Sequence, residues 1–481
     1  MTLINEVSQL AQPLTEWNDE NLDHPELFLN RELSLLSFNQ RVMALACDPE
    51  IPLLERLRFL CISCTNLDEF FEVRVASIRQ RIQHGVNQPS ADGLSPAQTL
   101  GAIRQTVLTM IKEQYRILNE GLTPELREQN IRILRRSRWS ADQRQWLHQH
   151  FRDEIMPVLS PLGLDPAHPF PRILNKSLNF AVALQGDDAF NRESGMALVR
   201  APRSLPRIIR IPQAHSDGPN DFVFLSSVVH AFISELFPGM DVEGCYQFRV
   251  TRNSELFVDQ EEIEDLARAL EGELEARGFA EPVRLEVASN CPEPIVQFLG
   301  LQFGLDEEDI YRCDGPVNLN RMSAVYDLAD RADLCFPPFQ ASTPRALLTQ
   351  DNLFTAIDKQ DWVLHHPYDS FTPVVDLMRQ AVNDPAVLAI KQTLYRTGID
   401  SALVGLLIEA ARAGKDVTVI VELRARFDEE ANIALAMRMQ EAGVQVVYGV
   451  VGHKTHAKMM LIVRREQGQL RRYAHLGTGN Y

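Results

Sequence analysis

The spacing of apolar residues changes character twice along this chain. From Phe28 to about Glu120 the apolar positions recur at helical intervals: Val42, Leu45 and Ala46, then Leu53, Leu54, Leu57, Leu60 and Cys61. This period places one side of successive turns against a core. Asn66-Leu-Asp-Glu-Phe-Phe71 interrupts the run, and a further amphipathic helix is expected to reach about Gln83. Gly85–Pro96, rich in Gly, Pro, Asn and Ser, reads as a loop before another long helix. From about 130 the texture becomes α/β. A proline-punctuated loop, Asp165–Pro171, precedes short strand-like runs at Leu178–Leu184, Met196–Val199 and Ile208–Ile211. An apolar helix is expected near Leu225–Phe237, strands near Tyr246–Val250 and Glu255–Val258, a charged helix over Glu261–Arg277 and a strand at Val283–Val287. The prolines from Phe336 to Pro344 mark a linker.

The pattern is clearest at the end. Val387–Tyr395 reads as a buried strand, Val417–Leu423 as another, largely apolar one, and Val444–Val451 as a third. Between them lie helices capped by Asp400 or Ser401 and by Asp428, stopping at Gly414 and Gly443. Strands alternating with helices at this spacing predict βαβ units and a mostly parallel sheet, with ligands at the carboxyl ends of the strands. The expected organisation is therefore an α/β multidomain protein: a loose tail over 1–24, a helical domain over 25–127, an α/β middle domain over 128–342, and a βαβ domain over 343–481.

Composition narrows the function classes. With 481 residues, 45% of them apolar, three domains are the natural expectation. A net charge of −17 argues against a broad nucleic-acid-binding face and predicts no nucleic-acid partner. Seven scattered cysteines imply no disulfide framework, and Cys61-Ile-Ser-Cys64 lies in a helical apolar run that favours buried packing over redox chemistry. The start of the chain has no signal-peptide pattern and no run reaches transmembrane length, so a cytoplasmic protein without integral membrane association is expected.

Candidate chemistry gathers near the end, in Gly452-His-Lys-Thr-His456-Ala-Lys458-Met459. An imidazole can carry a phosphoryl group, and a lysine two residues on shares its strand face. His456 is thus a candidate nucleophile and Lys458 a candidate point charge for phosphate oxygens. Around them Lys454, Arg464, Arg465, Arg471 and Arg472 face a single acid, Glu466, which would make this corner attractive to a polyphosphate or nucleotide. Arg396 and Arg426 fall just past strand ends, where a guanidinium fork matches phosphate geometry. For Arg426 the rival reading is a helix-start ion pair with Asp428, Glu429 or Glu430. Glu422 and Arg424 read as ordinary strand residues. The P-loop register fails because His453 intervenes before Lys454-Thr455, and His365-His366 lacks a cluster to complete a metal site.

Many separate segments resemble the long-chain polyphosphate kinases. They include Asn30-Arg-Glu-Leu-Ser34, Asn66-Leu-Asp-Glu-Phe70, Leu164–Pro171, Asn175-Lys-Ser-Leu-Asn179, His366-Pro-Tyr-Asp369, Leu394-Tyr-Arg396, Ala425–Asn432, Lys454-Thr-His456 and His475–Asn480. The resemblance implies reversible transfer of the terminal phosphate of ATP to inorganic polyphosphate, with ADP as the other product. It also implies a phospholipase D-like fold for the last domain and self-association as a homo-oligomer. His456 matches the histidine that becomes phosphorylated, Asn66 a residue that contacts ATP, and Arg396 and Arg426 the positions associated with magnesium. A guanidinium has no lone pair for Mg²⁺, so these arginines are read as clamping the phosphates that carry it. Val463 stands where phospholipase D enzymes place an Asp, which disfavours the alternative of a phosphodiesterase. Leu35 replaces the family's usual Trp. The family's second phospholipase D-like domain has no counterpart before Tyr481, so the chain is expected to be a fragment. A second alternative is therefore an inactive piece that only binds nucleotide or polyphosphate.

Overall fold

The computed structural model describes residues 22–164, 169–186, 195–254, 278–348, 352–398, 401–423, 425–450 and 453–481. The strand expected at Glu255–Val258, the helix expected over Glu261–Arg277, Asp400, Arg424 and Gly452 lie outside them. The described residues form two compact units, one ending at Pro337 and the other beginning at Pro338.

In the first unit, helix α1 (Arg31–Ala44) starts at Asn30, whose Oδ1 accepts the Leu33 N–H at 3.0 Å. Helix α2 (Leu53–Phe70) buries Leu54, Leu57, Leu60 and Leu67. The predicted interruption at Asn66–Phe71 does not occur. The helix passes through it, widens to one π turn at Phe71–Val75, and continues as α3 (Ala76–Gln83). Asp68 survives inside a buried helix because Arg249 donates to both its carboxylate oxygens, at 2.9 and 2.8 Å, and Arg284 also pairs with it. Burial alone would raise the Asp68 pKa, but the two guanidiniums overcome that and hold it well below the usual carboxylate range. An acidic stretch that reads as a break is an ion network taken into the core. Helix α4 (Pro96–Arg116) follows the expected loop and opens on a Ser95–Gln98 capping box.

Two sheets complete this unit. Strands β1 (Ile131–Ile133), β6 (Asn220–Phe224) and β5 (Ile208–Arg210) form the smaller one. The larger has the order β2 (Ser160–Gly163), β4 (Met196–Ala201), β3 (Leu178–Gln185), β7 (Asp241–Arg252), β8 (Pro282–Ala288), β9 (Ile310–Cys313). It is antiparallel except for the β8–β9 pair. Helices α5 (Ala141–His150), α6 (Leu225–Phe232) and α7 (Glu293–Phe303) accompany these strands. One cluster of buried side chains runs from Leu57 on α2 to Ile131, Phe222, Tyr311 and Val325, so the helical stretch and part of the middle stretch share a core. Cys61 and Cys64 are buried and free, and burial pushes the Cys64 thiol up to about 12. Among the described residues no helix is long and apolar enough to cross a membrane.

The second unit is built on one five-stranded sheet, ordered β12 (Gln445–Tyr448), β11 (Asp416–Val421), β10 (Val387–Leu394), β13 (Lys458–Glu466), β14 (Gln469–Gly477). Helices α8 (Thr372–Asn383), α9 (Ala402–Arg412) and α10 (Glu429–Glu441) complete it. Gly414 and Gly443 follow the last two helices in the left-handed conformation, at φ 82° and 90°, a backbone that favours glycine. The mostly parallel sheet is correct for β10, β11 and β12 only; β13 and β14 form an antiparallel hairpin against β10. An apolar run does not reveal strand direction, because direction depends on the path of the connection.

Candidate functional site

Because β13 runs opposite to its neighbours, its amino end lies at the same edge as the carboxyl ends of β10, β11 and β12. Register makes this explicit. Leu394 pairs with Val421 and Val421 with Tyr448, while Gln392 pairs with Met460 and Lys458 with Gly477. Segments leaving and entering the sheet therefore bring Arg396, Arg426, His456 and Lys458 to one edge. Asn66 belongs to the first unit. There it is half-buried on α2, donating from Nδ2 to Asn39 Oδ1 at 3.2 Å, while Asn39 itself donates to the Ser63 carbonyl.

His456 is exposed and lies just before β13, not on it. The expected alternation of His456 and Lys458 on one strand face therefore does not hold. Lys458 is the first strand residue and is buried; its Nζ donates to the His456 carbonyl at 2.7 Å and sits 4.9 Å from the centre of the Tyr395 ring. Burial lowers its pKa. The His456 imidazole meets the same ring edge-on, with centroids 5.0 Å apart at 74°. Arg396 lies 5.8 Å from the ring centre, its Nε pairs with Asp428 Oδ2 at 2.9 Å, and its Nη2 donates to the Arg426 carbonyl at 2.9 Å. The ion pair considered for Arg426 with Asp428 is thus made by Arg396, leaving the Asp428 carboxylate off the helix cap. Tyr395, absent from the predicted site, is its centre.

Three further residues fasten this edge. Asn432, buried on α10, donates to the carbonyls of Tyr395 and Glu422 at 2.7 and 2.9 Å, tying β10 to β11. The Thr393 hydroxyl donates to the Ala457 carbonyl at 2.6 Å and accepts from Met459 N–H at 3.0 Å, tying β10 to β13. Glu422 is not an ordinary strand residue: it is buried, and its Oε2 accepts the Thr455 N–H at 2.7 Å, one residue from His456. The signal for Glu422 was an acid directly after the apolar run Val419-Ile-Val421, where a carboxylate needs a partner.

The basic corner is smaller than the sequence suggests. Arg464 and Arg471 sit near the hairpin turn, about 20 Å from Lys458 at roughly 3.4 Å per strand residue. Arg464 is neutralised by Asp384 and Glu466, at 2.7 and 2.6 Å, and Arg471 by Asp358. Of the cationic side chains named from the sequence, Lys454, Lys458, Arg396 and Arg426 belong to the site edge. Among the described residues no group of three His, Cys, Asp or Glu could hold a metal ion. The carboxylates at the edge are engaged, Asp428 by Arg396 and Glu422 by Thr455.

Three family models cover most of the chain: the polyphosphate kinase N-terminal domain over residues 28–134, the middle domain over 142–325, and C-terminal domain 1 over 352–481. The chain is 61% identical over 458 residues to a protein of Xylella fastidiosa (strain 9a5c) named polyphosphate kinase, an alignment covering 95% of this chain and 65% of that protein. A Pseudomonas aeruginosa protein of the same name is 55% identical, with coverage of 96% and 67%. The crystal structure of polyphosphate kinase from Porphyromonas gingivalis superposes with a TM-score of 0.78 at 30% identity, covering 94% of this chain and 64% of that one. The chain thus spans about two thirds of the length of these relatives.

Proposed function

Since the chain belongs to the polyphosphate kinase family, we propose that its five-stranded sheet carries the nucleophile of a reversible phosphotransfer between ATP and inorganic polyphosphate, through a phosphohistidine at His456. The observation that carries this reading is the convergence on Tyr395 of an exposed imidazole, a buried ammonium and an arginine fork at one sheet edge.

In the first step a ring nitrogen of His456, holding its lone pair while the other nitrogen keeps the proton, attacks the γ-phosphorus of ATP. The N–P bond forms as the bond to the bridging β–γ oxygen breaks, and ADP leaves. In the second, the terminal oxygen of a polyphosphate attacks the same phosphorus, the N–P bond breaks, and the polymer is one phosphate longer. Magnesium bound to the nucleotide would neutralise charge on the phosphate oxygens that Arg396 and Arg426 hold. Lys458 has a part different from a free point charge: its ammonium pins the His456 carbonyl, so the nucleophile is positioned before substrate arrives. Arg396, held by Asp428 and the Arg426 carbonyl, presents its remaining N–H groups to the transferring phosphoryl oxygens, with Arg426 beside it. Glu422 holds the main chain at Thr455 and so fixes the approach to His456. Asn66 is assigned to nucleotide contact by family resemblance, and its Oδ1 is the group it would offer.

Incubation with γ-labelled ATP and Mg²⁺ should place acid-labile, base-stable label on the chain, and His456→Ala should abolish it. Label that survives in the variant, or no label on the unsubstituted chain, would overturn the assignment.

A further inference from the structure

A second concentration of positive charge lies in the first unit, in a cavity of about 610 Å³. Arg58 comes from α2, Arg203 and Arg207 from the connector between β4 and β5, and Arg321 from the short 3-10 turn Leu319–Ser323. Three segments remote in sequence thus bring four guanidiniums to one wall, in a chain whose net charge is −17. Like charges gathered this way repel one another, and little around them offsets that repulsion. Asp327 is the one carboxylate among the lining residues, and it is exposed. Glu55, buried nearby, is 3.9 Å from Arg58 but already accepts the Tyr326 hydroxyl at 2.7 Å and the Phe336 N–H at 3.1 Å.

Arg207 carries the argument furthest. Its Nη2 donates to the Ala201 carbonyl at 3.1 Å, while its Nη1 is buried with no hydrogen-bond partner. A buried charged donor left unmade is costly, and such a group in a folded protein calls for an explanation. Burial, with Arg321 and Arg203 adding to it, depresses the Arg207 guanidinium to about 10. Arg203 and Arg321 are exposed at the rim, and Arg203 donates to the Asn175 carbonyl at 2.9 Å.

We infer that this cavity binds consecutive phosphates of an inorganic polyphosphate chain. The lining favours phosphate without a base. Tyr326 is its one aromatic residue, and that ring is already covered by the Arg58 guanidinium at 5.0 Å and anchored through its hydroxyl. No free stacking wall is left for a nucleobase, whereas guanidinium forks match phosphate oxygens bidentately and stay charged throughout the physiological range. The identity of the polymer rests on the function proposed above; the anion site itself rests on the arginines.

The test is calorimetric titration of the intact 481-residue chain with short-chain polyphosphate, ATP and inorganic phosphate, at several salt concentrations. Two variants are compared: the double substitution Arg203→Gln/Arg321→Gln, at exposed positions, and Arg207→Lys, which keeps the charge and loses the fork. Polyphosphate affinity should fall at least tenfold in the double variant, with a shallower salt dependence, because fewer counterions are exchanged. It should also fall in Arg207→Lys. Unchanged polyphosphate affinity and salt slope in the double variant would overturn the inference. So would a loss confined to ATP, which would assign the cavity to a nucleotide. The titration requires no turnover, so its outcome is separate from that of the His456 labelling experiment.

Discussion

At the scale of single residues, the site depends on a lysine doing more than offering charge. Lys458 donates to the carbonyl of the residue proposed as nucleophile and rests on Tyr395. Lys458→Met keeps the stem and removes the donor. It should slow labelling by γ-labelled ATP on the order of 100-fold, the scale of losing one preorganised donor, with little change in the ATP concentration giving half-maximal rate. The pH dependence has a fixed sign. The ammonium is the competent form, and burial lowers its pKa from 10.5. The labelling rate should therefore begin to fall on the alkaline side at a lower pH than a solvated lysine would give, and the Met variant should lack that limb. The lysine and histidine were legible from their types and spacing. Tyr395 was not, because a tyrosine ending an apolar strand looks like packing until two cations and an imidazole are seen on its ring. The direction of the lysine was hidden too, since it follows from where β13 begins.

At the scale of elements, the site is the edge where strands of opposite direction meet, and its precision comes from cross-links between them. Asn432→Ala leaves the carbonyls of Tyr395 and Glu422 without their shared donor. The loss should cost about 1–3 kcal/mol, read as a lower urea midpoint for the intact chain. Labelling should slow as well, because β10 and β11 then carry Arg396 and Glu422 less firmly. The parallel strands were readable because each is a short, largely apolar segment between helical patterns. The hairpin was readable as strands but not as antiparallel. Strand β1, only three residues long, gives too little periodicity to register. The π turn after Phe70 was invisible because its residues are as apolar and helical as those on either side. The helix ends at Gly414 and Gly443 were legible, since a positive φ at both positions favours glycine.

At the scale of the whole molecule, an acidic protein proposed to handle a polyanion gathers positive groups at two local places. One is the sheet edge around Tyr395 and the other the arginine cavity of the first unit, while Arg464 and Arg471 are neutralised by neighbouring carboxylates. The first unit owes its integrity partly to Asp68, Arg249, Arg284 and Glu286, all buried. Asp68→Asn would leave two arginines short of their carboxylate. It should cost about 3–5 kcal/mol, as breaking one side of a buried ion pair does, measured by urea unfolding followed by tryptophan fluorescence. A stability close to that of the unsubstituted chain would mean Glu286 alone suffices to hold both guanidiniums.

That network also sets an order of events in time. Asp68 lies 181 residues before Arg249 and 216 before Arg284. At roughly 5–20 residues per second of synthesis, about 10–40 s separate the emergence of the acid from that of its second partner. During that interval helices α1, α2 and α4 can associate through Leu36, Leu57, Ile103 and Val107, but Asp68 has neither of its arginine partners. The ion network of the helical segment can thus be completed only after strands made much later deliver the matching cations.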